Sequence, residues 1–401
     1  MRKALLLTEI FPPATGGSAR WFWEIYSRLP CDRVCVAAGG RAGDRAFDGT
    51  NDLAVLRLPL SLRDTGFASW RGLRGYYQLV RSIYRICRER QIEVVHCGRC
   101  LPEGWIGWLL YKLHGIPYIC YAHGEEVKLP TSPSDSGVMS SRQHRFMASR
   151  SLRSSSLVIA NSANTQNILR DEWNIPAEHL RILHPGVDTK RFCPVARGED
   201  VRQMLGWSGR RVILTVGRLQ KRKGHDRMLR ALLQVRQSVP NVLYAIIGEG
   251  AERQQLESLT YELGVGEQVR FHGEVSDDIM THCYQQCDLF VLPNRQVGSD
   301  IEGFGMVLLE AQACGKPVIA GASGGTSETM CADSGAVIAC EESDLLAELV
   351  ARWLSDEQKL AEMGRAARRW VVNRFDWSSL AEQAHKTLTG EFHSPVSTES
   401  R

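Results

Sequence analysis

The chain of 401 residues carries 49 basic and 45 acidic side chains, and 43% of its residues are hydrophobic, which is enough to build two buried cores. No apolar run reaches the roughly 18 residues of a membrane-spanning helix. Met1 leads into an apolar strand instead of a signal peptide, so we expect a cytoplasmic protein. The twelve cysteines stand mostly in apolar segments, which favours reduced packing residues over a disulfide framework.

Apolar runs of strand length alternate with helical stretches, and the alternation occurs twice, as in two doubly wound α/β domains. In the first half the predicted strands are Ala4–Thr8, Arg33–Ala37, Ala54–Leu58, Glu93–His96, Pro117–Tyr121 and Leu157–Ala160. In the second half they are Arg211–Val216, Val242–Ile247, Val269–Phe271, Leu289–Leu292 and Pro317–Ala320.

The segments between these runs predict the domain boundaries. Pro185 and Gly186 interrupt the pattern between the halves. We therefore expect an N-terminal domain over residues 1–184, a linker over 185–193 and a C-terminal domain over 194–374. Residues 392–401 offer little apolar surface, which predicts a disordered tail.

Basic charge is concentrated in the predicted helix 70–90, where Leu73, Tyr77, Val80, Tyr84 and Cys87 recur at helical spacing between arginines. The spacing predicts a solvated arginine face on a helix that packs against the core. A patch that meets anionic lipid on the inner face of the cell membrane stays open as an alternative. No nucleic-acid recognition motif accompanies the arginines, so we expect no nucleic-acid partner.

Two carboxylates, Glu302 and Glu310, stand eight residues apart after a predicted buried strand of the second half. Gly303 and Gly305 favour a turn, and Met306–Ala313 is apolar enough for a buried helix. Glu302 is then in a loop and Glu310 about two turns into the helix. A buried Glu310 needs a hydrogen-bond donor, which ligand hydroxyls or a structural arginine would supply.

A basic loop follows the strand that begins the second half. Arg218 and Lys223 stand where doubly wound sheets bind ligands, and Gly217 lets the chain turn closely past a phosphate. We expect Lys221 and Arg222 to face solvent. The alternative to phosphate binding is a basic loop that caps the following helix.

Glycines and a histidine follow strands of the first half. Gly16 and Gly17 precede a predicted helix, so their amides could bind an anion at its N-terminus. His123 comes directly after a predicted strand and could bond to a sugar hydroxyl, although a lone histidine is more often structural. Asn161 follows another strand and could line a cleft, while Ser162 beside it suits a helix N-cap.

These segments together resemble the retaining family-4 glycosyltransferases with the GT-B fold. The segment from Glu302 to Glu310 is similar to that family's E-x7-E motif, and 216–225 is similar to its phosphate-binding loop. Residues 11–18 resemble its glycine-rich N-terminal loop, and 122–126 its acceptor-side His-Gly segment. The resemblance implies two Rossmann-like doubly wound domains facing a cleft, with a helix over 375–391 that crosses back to the first domain.

The resemblance also implies roles for individual residues. It implies catalytic roles for His123, Arg218, Lys223 and Glu302. It implies donor binding by Gly16, Gly17, Arg218, Lys223, Phe271, His272, Gly273, Glu302, Gly303, Phe304, Gly305 and Glu310. It implies acceptor binding by Gly17, His123, Glu125 and Asn161.

The chemistry that the resemblance implies is transfer of a hexose with retention. Glu310 is associated with the ribose hydroxyls and Glu302 with the sugar, and the donor diphosphate itself takes the acceptor proton. The sequence contains no Asp-x-Asp pair, so we expect no metal cofactor, with Arg218 and Lys223 neutralising the diphosphate instead.

Overall likeness to phosphatidyl-myo-inositol and polysaccharide mannosyltransferases favours GDP-mannose as the donor. The expected acceptor is a hydroxyl of a lipid, glycan or polyol. A UDP-hexose donor stays open, as do a sugar-nucleotide epimerase and a non-catalytic sugar-nucleotide-binding protein. A nicotinamide dehydrogenase is not expected, because the glycines lack the G-x-G-x-x-G spacing.

Overall fold

The structure is a computed structural model that describes residues 1–62, 65–132, 135 and 137–389. The chain divides into two compact units, one formed by Met1–Pro185 with the segment from Trp377 onward, the other by Gly186–Asp376. The predicted tail over 392–401 lies outside the described residues, as do the last two residues of the helix expected over 375–391.

The first unit is built on a seven-stranded parallel sheet. Its strands are β1 (Ala4–Thr8), β2 (Val34–Gly39), β3 (Ala54–Leu58), β4 (Val94–Cys97), β5 (Tyr118–Ala122), β6 (Val158–Ala160) and β7 (Leu180–Ile182). Its helices are α1 (Gly17–Tyr26), α2 (Asp44–Asp48), α3 (Trp70–Glu89), α4 (Trp105–His114), α5 (Arg142–Arg153) and α6 (Ala163–Asp171), together with a last helix, Trp377–Thr389, which packs against α1. The strand order is β3-β2-β1-β4-β5-β6-β7.

The second unit is built on a six-stranded parallel sheet. Its strands are β8 (Arg211–Val216), β9 (Val242–Ile247), β10 (Val269–Gly273), β11 (Leu289–Leu292), β12 (Val318–Gly321) and β13 (Gly335–Ile338). Its helices are α7 (Glu199–Met204), α8 (His225–Ser238), α9 (Arg253–Glu262), α10 (Asp277–Gln286), α11 (Met306–Ala313), α12 (Ser343–Leu354) and α13 (Glu357–Phe375), which makes Trp377–Thr389 α14. The strand order is β10-β9-β8-β11-β12-β13.

Each sheet has a point at which the strand order reverses. It lies between β1 and β4 in the first unit and between β8 and β11 in the second. At such a point the loops leaving the carboxyl ends of the two neighbouring strands turn to opposite faces of the sheet and leave a crevice for a ligand. The topology therefore places a candidate ligand site in each unit.

Strand β8 shows that both faces of the second sheet are covered. Val212 and Leu214 pack into a core on one face, whereas Ile213 packs into a separate core on the other. A strand buried on both faces reads as a continuous apolar run without alternation, which is the pattern of the predicted strands.

The predicted doubly wound α/β class is confirmed, and five predicted strands have the bounds seen in the structure: β1, β3, β8, β9 and β11. Two edge strands, β7 and β13, were not predicted. Leu180–Ile182 is three residues long with an exposed arginine in the middle, and Gly335–Ile338 begins with glycine, so neither reads as an apolar run. All twelve cysteines are free thiols, and most of them are buried.

The orientation of helix α3 corrects one prediction. Its buried face holds Tyr76, Leu79 and Ile83 together with Val80 and Cys87. Leu73 and Tyr77, expected on the core face, are 55% and 65% exposed, and Trp70 is 79% exposed. The arginines separating the apolar residues hid which of two adjacent apolar stripes faces the core.

Candidate active site

Three charged residues predicted for the site, Arg218, Lys223 and Glu302, lie on the loops after β8 and β11, the two strands at the strand-order reversal. Gly217 follows β8 directly and has φ +152°, a conformation that suits glycine. Arg218 comes next and is exposed, and a single 3-10 turn, Lys221–Lys223, precedes α8. Glu302 lies in the loop between β11 and α11, as predicted. The loops that carry these residues therefore leave neighbouring strands.

Glu302 joins the two loops through ion pairs. One of its oxygens, Oε2, lies 2.6 Å from Lys223 Nζ and 2.5 Å from Arg222 Nη1. Burial raises the pKa of the Glu302 carboxyl, but the two cations outweigh it and hold the pKa at about 2. Glu302 is therefore ionised at neutral pH, and it pairs with Lys223, which was predicted to bind phosphate.

Arg222 was expected to face solvent, and that prediction is wrong. Its side chain is only 5% exposed, and its Nε lies 3.0 Å from Asp300 Oδ1. Lys221, expected beside it in solvent, is exposed. Nothing near Arg222 in the sequence signals burial, because its carboxylate partners come some eighty residues later in the chain.

Close backbone contacts fix the loops relative to each other. A Cβ on Gly224 would lie 1.8 Å from the carbonyl oxygen of Pro293, and one on Gly324 would lie 1.7 Å from that of Glu302. The amide of Gly325 also donates to the Glu302 carbonyl at 3.1 Å. Glycine at these positions lets three loops pack together at one edge of the sheet.

Glu310 is buried in α11, as predicted, and a tyrosine donates a hydrogen bond to it. Tyr284 Oη donates to Glu310 Oε2 at 2.7 Å from α10. Tyr284 stands in an otherwise ordinary amphipathic helix, so no local pattern indicates its role.

The turn before α11 contains the predicted residues Gly303, Phe304 and Gly305. Gly305 has φ +95° and is the N-cap of α11. Phe304 is buried, and its ring centroid lies 5.9 Å from that of Phe375, so its side chain belongs to the core. Ligand contacts from this turn would therefore come from its backbone.

Phe271, His272 and Gly273 form the end of β10, two strands away from β8. The guanidinium of Arg253 lies 4.7 Å from the ring centroid of Phe271. His272 Nε2 accepts a hydrogen bond of 3.2 Å from Trp207 Nε1, and burial lowers the pKa of His272. The hydrogen bond from Trp207 and the burial both favour the neutral form of His272.

In the first unit, His123 lies beside the strand-order reversal. Its Nε2 lies 2.8 Å from the carbonyl oxygen of Gly98, which follows β4, and its Nδ1 lies 3.2 Å from Ser18 Oγ at the start of α1. Because a carbonyl can only accept, Nε2 carries a proton and donates it to Gly98. Asn161 Nδ2 donates to the His123 carbonyl at 3.0 Å.

The remaining predicted residues of this unit lie on the same edge of the sheet. Gly16 has φ +127° and is the N-cap of α1, which begins at Gly17. Glu125 is exposed in the loop after β5. Ser162 caps α6 by accepting from the amide of Thr165, as predicted.

A charge cluster around the buried Arg99 was not predicted from the sequence. Arg99 lies 3.7 Å from Glu9 Oε2 and 3.5 Å from Glu126 Oε2, and all three follow carboxyl ends of strands. Glu103 Oε1 accepts from the amide of Glu9 at 2.7 Å, and burial raises the pKa of Glu103. The acidic residues are scattered over more than a hundred positions, so only the fold brings them together.

Within residues 1–62, 65–132, 135 and 137–389, no group of three histidine, cysteine, aspartate or glutamate side chains has a geometry that could hold a metal ion. In the same part of the chain, no helix is both long and apolar enough to cross a membrane.

Two protein families match the two halves of the chain. The profile of "Glycosyltransferase Family 4" matches residues 15–191, and that of "Glycosyl transferases group 1" matches residues 199–370.

Curated relatives match over the whole length. The chain is 32% identical to a GDP-mannose-dependent alpha-(1-6)-phosphatidylinositol monomannoside mannosyltransferase of Mycobacterium tuberculosis, over 98% of this chain and 99% of the relative. It is 31% identical to a GDP-mannose-dependent monoacylated alpha-(1-6)-phosphatidylinositol monomannoside mannosyltransferase of Corynebacterium glutamicum, over 97% and 98% of the two chains.

A solved structure shows the same fold. Anabaena Alr3699/HepE in complex with UDP superposes with a TM-score of 0.79 at 24% identity, covering 97% of this chain and all of the other.

Proposed function

Because the chain belongs to the family-4 glycosyltransferases, enzymes with the GT-B fold, we propose that it transfers mannose from GDP-mannose to a hydroxyl group of a glycolipid. The observation that carries the proposal is the meeting of Lys223, Arg222 and Glu302 at the strand-order reversal of the second sheet. Full-length relatives named as GDP-mannose-dependent mannosyltransferases support the choice of donor.

The second unit would bind the donor. Its diphosphate needs cations to stabilise the charge that develops as it leaves, and Arg218 and Lys223 stand on the loop where such a ligand binds. We assign no metal to this step, since the two cations supply the charge. Glu310 would accept hydrogen bonds from ribose hydroxyls, and Glu302 would hold a hydroxyl of the sugar.

Transfer with retention then needs no protein nucleophile. The bond from the anomeric carbon to the β-phosphate oxygen breaks, and the acceptor oxygen bonds to the same face of that carbon. The acceptor proton passes to the leaving diphosphate. The carboxylates Glu302 and Glu310 orient hydroxyl groups and form no bond to the sugar.

The first unit would bind the acceptor. The ring of His123 is held between Ser18 and Gly98, and Asn161 donates to its backbone carbonyl. Polar groups held in place in this way suit a polyhydroxylated headgroup. The named relatives act on phosphatidylinositol monomannoside, so we propose a mannosylated phosphatidylinositol as the first acceptor to test.

A lipid acceptor requires the enzyme to reach a membrane surface. The outer face of α3 combines exposed apolar and aromatic residues with exposed arginines: Trp70, Leu73, Tyr77, Arg74, Arg81 and Arg85. Aromatic rings favour the headgroup region, and arginines are attracted to anionic lipid. We propose that this α3 face docks the protein on the inner surface of the cell membrane.

A donor panel tests the proposed function. Purified protein is mixed with GDP-mannose, UDP-glucose, UDP-galactose or UDP-N-acetylglucosamine, and its melting temperature and the release of nucleoside diphosphate are measured with and without mannosylated phosphatidylinositol. GDP-mannose should stabilise the protein most and should be consumed fastest with acceptor present. A preference for a UDP-sugar would favour the alternative donor. The structural neighbour was solved in complex with UDP, so this alternative is included in the panel. If no donor raised the melting temperature or released nucleoside diphosphate, the proposed function would be wrong.

A further inference from the structure

The carboxylate of Glu302 is held by two cations that differ in kind. Lys223 and Arg222 both approach the same oxygen, Oε2, at 2.6 Å and 2.5 Å. A lysine ammonium is a point charge on a flexible stem, whereas a guanidinium is a rigid fork that can bind in two directions at once. One cation can therefore move while the other stays in place.

Arg222 is the cation that is fixed. Its Nε contacts Asp300 at 3.0 Å while its Nη1 contacts Glu302, so the fork spans two carboxylates. Its carbonyl accepts from the amide of Arg295 at 2.8 Å, and Asp300 belongs to a turn closed by two backbone hydrogen bonds of 3.0 Å with Val297. The backbone of Arg222 and the turn that carries Asp300 are thus both held by hydrogen bonds, and the guanidinium spans the two carboxylates.

Lys223 is the cation nearer to the proposed phosphate site. Its ammonium lies beside the backbone of Gly217, where an added Cβ would be 3.7 Å from Nζ. Gly217 begins the loop that the proposed diphosphate would approach. The ammonium is therefore within reach of both the carboxylate and a phosphate bound at that loop.

We infer that Arg222 is a positioning residue: it holds Glu302 in its ionised form and in place when Lys223 leaves that carboxylate for the diphosphate of the donor. The inference rests on the proposed function for the identity of the incoming anion. Arg222 touches neither substrate nor reacting atoms in this account, and it acts through Glu302.

The charge balance explains why a second cation is needed. Arg222, Lys223, Asp300 and Glu302 together carry no net charge. When Lys223 pairs with phosphate, a buried Glu302 without Arg222 would lose its last cation, and burial would then favour its protonated form. A protonated or displaced Glu302 would no longer accept a hydrogen bond from the sugar hydroxyl.

The experiment measures kcat across pH for wild type, Arg222→Ala, Arg222→Lys and Lys221→Ala at saturating GDP-mannose. Arg222→Ala should lower kcat by about 10²-fold near pH 7, the scale of a misplaced group in an active site. The difference in kcat from wild type should become smaller as the pH rises, because Glu302 is then deprotonated without Arg222. Arg222→Lys keeps the charge without the fork and should recover part of kcat. Lys221→Ala removes an exposed charge from the same turn and should match wild type.

Asp300→Asn provides a second variant in case Arg222→Ala does not fold. It removes the other anchor of the guanidinium at a half-exposed position, so it should lower kcat at every pH, because losing a negative charge does not favour protonation of Glu302. A loss in kcat of Arg222→Ala that is constant across pH, or a wild-type kcat in Asp300→Asn, would overturn the inference and leave Arg222 as a packing residue. Wild-type kcat in Arg222→Ala would also overturn it. Failure of the proposed function would be seen separately, as a wild-type protein that uses no donor.

Discussion

Tyr284 in α10 donates a hydrogen bond of 2.7 Å to Glu310 in α11, and both side chains are buried. A buried carboxylate needs donors to offset its lost hydration. The tyrosine hydroxyl supplies one from within the unit and so fixes the direction in which the Glu310 carboxylate points. A binding role for Glu310 thus depends on a residue 26 positions earlier in the chain.

Tyr284→Phe removes only that hydroxyl. It should weaken GDP binding, because the Glu310 carboxylate loses its orientation. It should also cost about 1–3 kcal/mol of unfolding free energy, because a buried acceptor loses a donor. Calorimetry with GDP and urea unfolding measure the two effects.

Tyr118→Phe is the matched control. Tyr118 is buried in the first unit and donates to the Ser151 carbonyl at the same 2.7 Å, so its loss should cost similar stability without changing GDP binding. If Tyr284→Phe bound GDP as wild type does, the hydrogen bond would be structural only.

The proposed phosphate cations should matter for turnover more than for folding. Arg218→Ala and Lys223→Ala should each lower mannosyl transfer by about 10²–10³-fold, the range for losing a preorganised group that stabilises developing charge. Lys221→Ala, an exposed lysine of the same loop, should leave the rate unchanged. Initial rates and melting curves of the three variants decide this, and near-normal rates in the first two would contradict the phosphate assignment.

Glu302 should make folding stability depend on acid pH. Its pKa is about 2 in the folded protein against an ordinary value of 4.5, so the ion pairs stabilise the fold above pH 4.5, and this contribution is lost as the pH falls through about 2. Around pH 3.5 the unfolded chain holds almost one more proton at this residue than the folded one. The unfolding free energy of wild type should therefore fall more steeply with acid than that of Glu302→Gln, by up to about 1.4 kcal/mol per pH unit.

Urea unfolding of both proteins between pH 5 and pH 3 gives the two slopes. Glu125→Gln serves as the control, since Glu125 is exposed, and its slope should follow wild type. Equal slopes for wild type and Glu302→Gln would mean that Lys223 and Arg222 do not hold the carboxylate as described.

The sequence predicted the elements that bury continuous apolar runs and the loops that follow them. Leu289–Leu292 and Met306–Ala313 were predicted with the bounds that the structure shows, and the loop between them places Glu302 as expected. These features depend on residues close together in the chain, where periodicity and glycine position carry the information.

The partners of the charged residues could not be predicted, because they depend on how distant loops meet. Arg222 reads as one more cation in a basic loop, yet it is buried against Asp300 and Glu302. Arg99 reads as a loop residue between two cysteines, yet it lies among carboxylates that follow other strands. In α3 the periodicity was correct, but with arginines spaced through the helix it could not show which apolar stripe faces the core.

The α3 face gives the last prediction. At low salt, vesicles rich in anionic lipid should pull the protein down, because Arg74, Arg81 and Arg85 meet the negative surface and the apolar residues enter the headgroup region. Changing these three arginines to glutamine should abolish the pull-down. Salt near 0.5 M should release wild type, since charges are then screened within about 4 Å.

Two controls distinguish specific binding by the α3 face from the effects of net charge and of any exposed aromatic residue. Glutamine at Arg230, Arg352 and Arg365 makes the same change in charge at exposed positions of the second unit and should leave binding intact. Serine at Trp70 and Tyr77 should reduce the amount of protein that stays on the vesicles at moderate salt. Serine at Tyr261, a tyrosine 88% exposed in the second unit, should not reduce it. If both arginine triples lost binding equally, only net charge would be involved. If neutral vesicles bound as well as anionic ones, the arginines would have no part in docking and the α3 face would be a solvated surface.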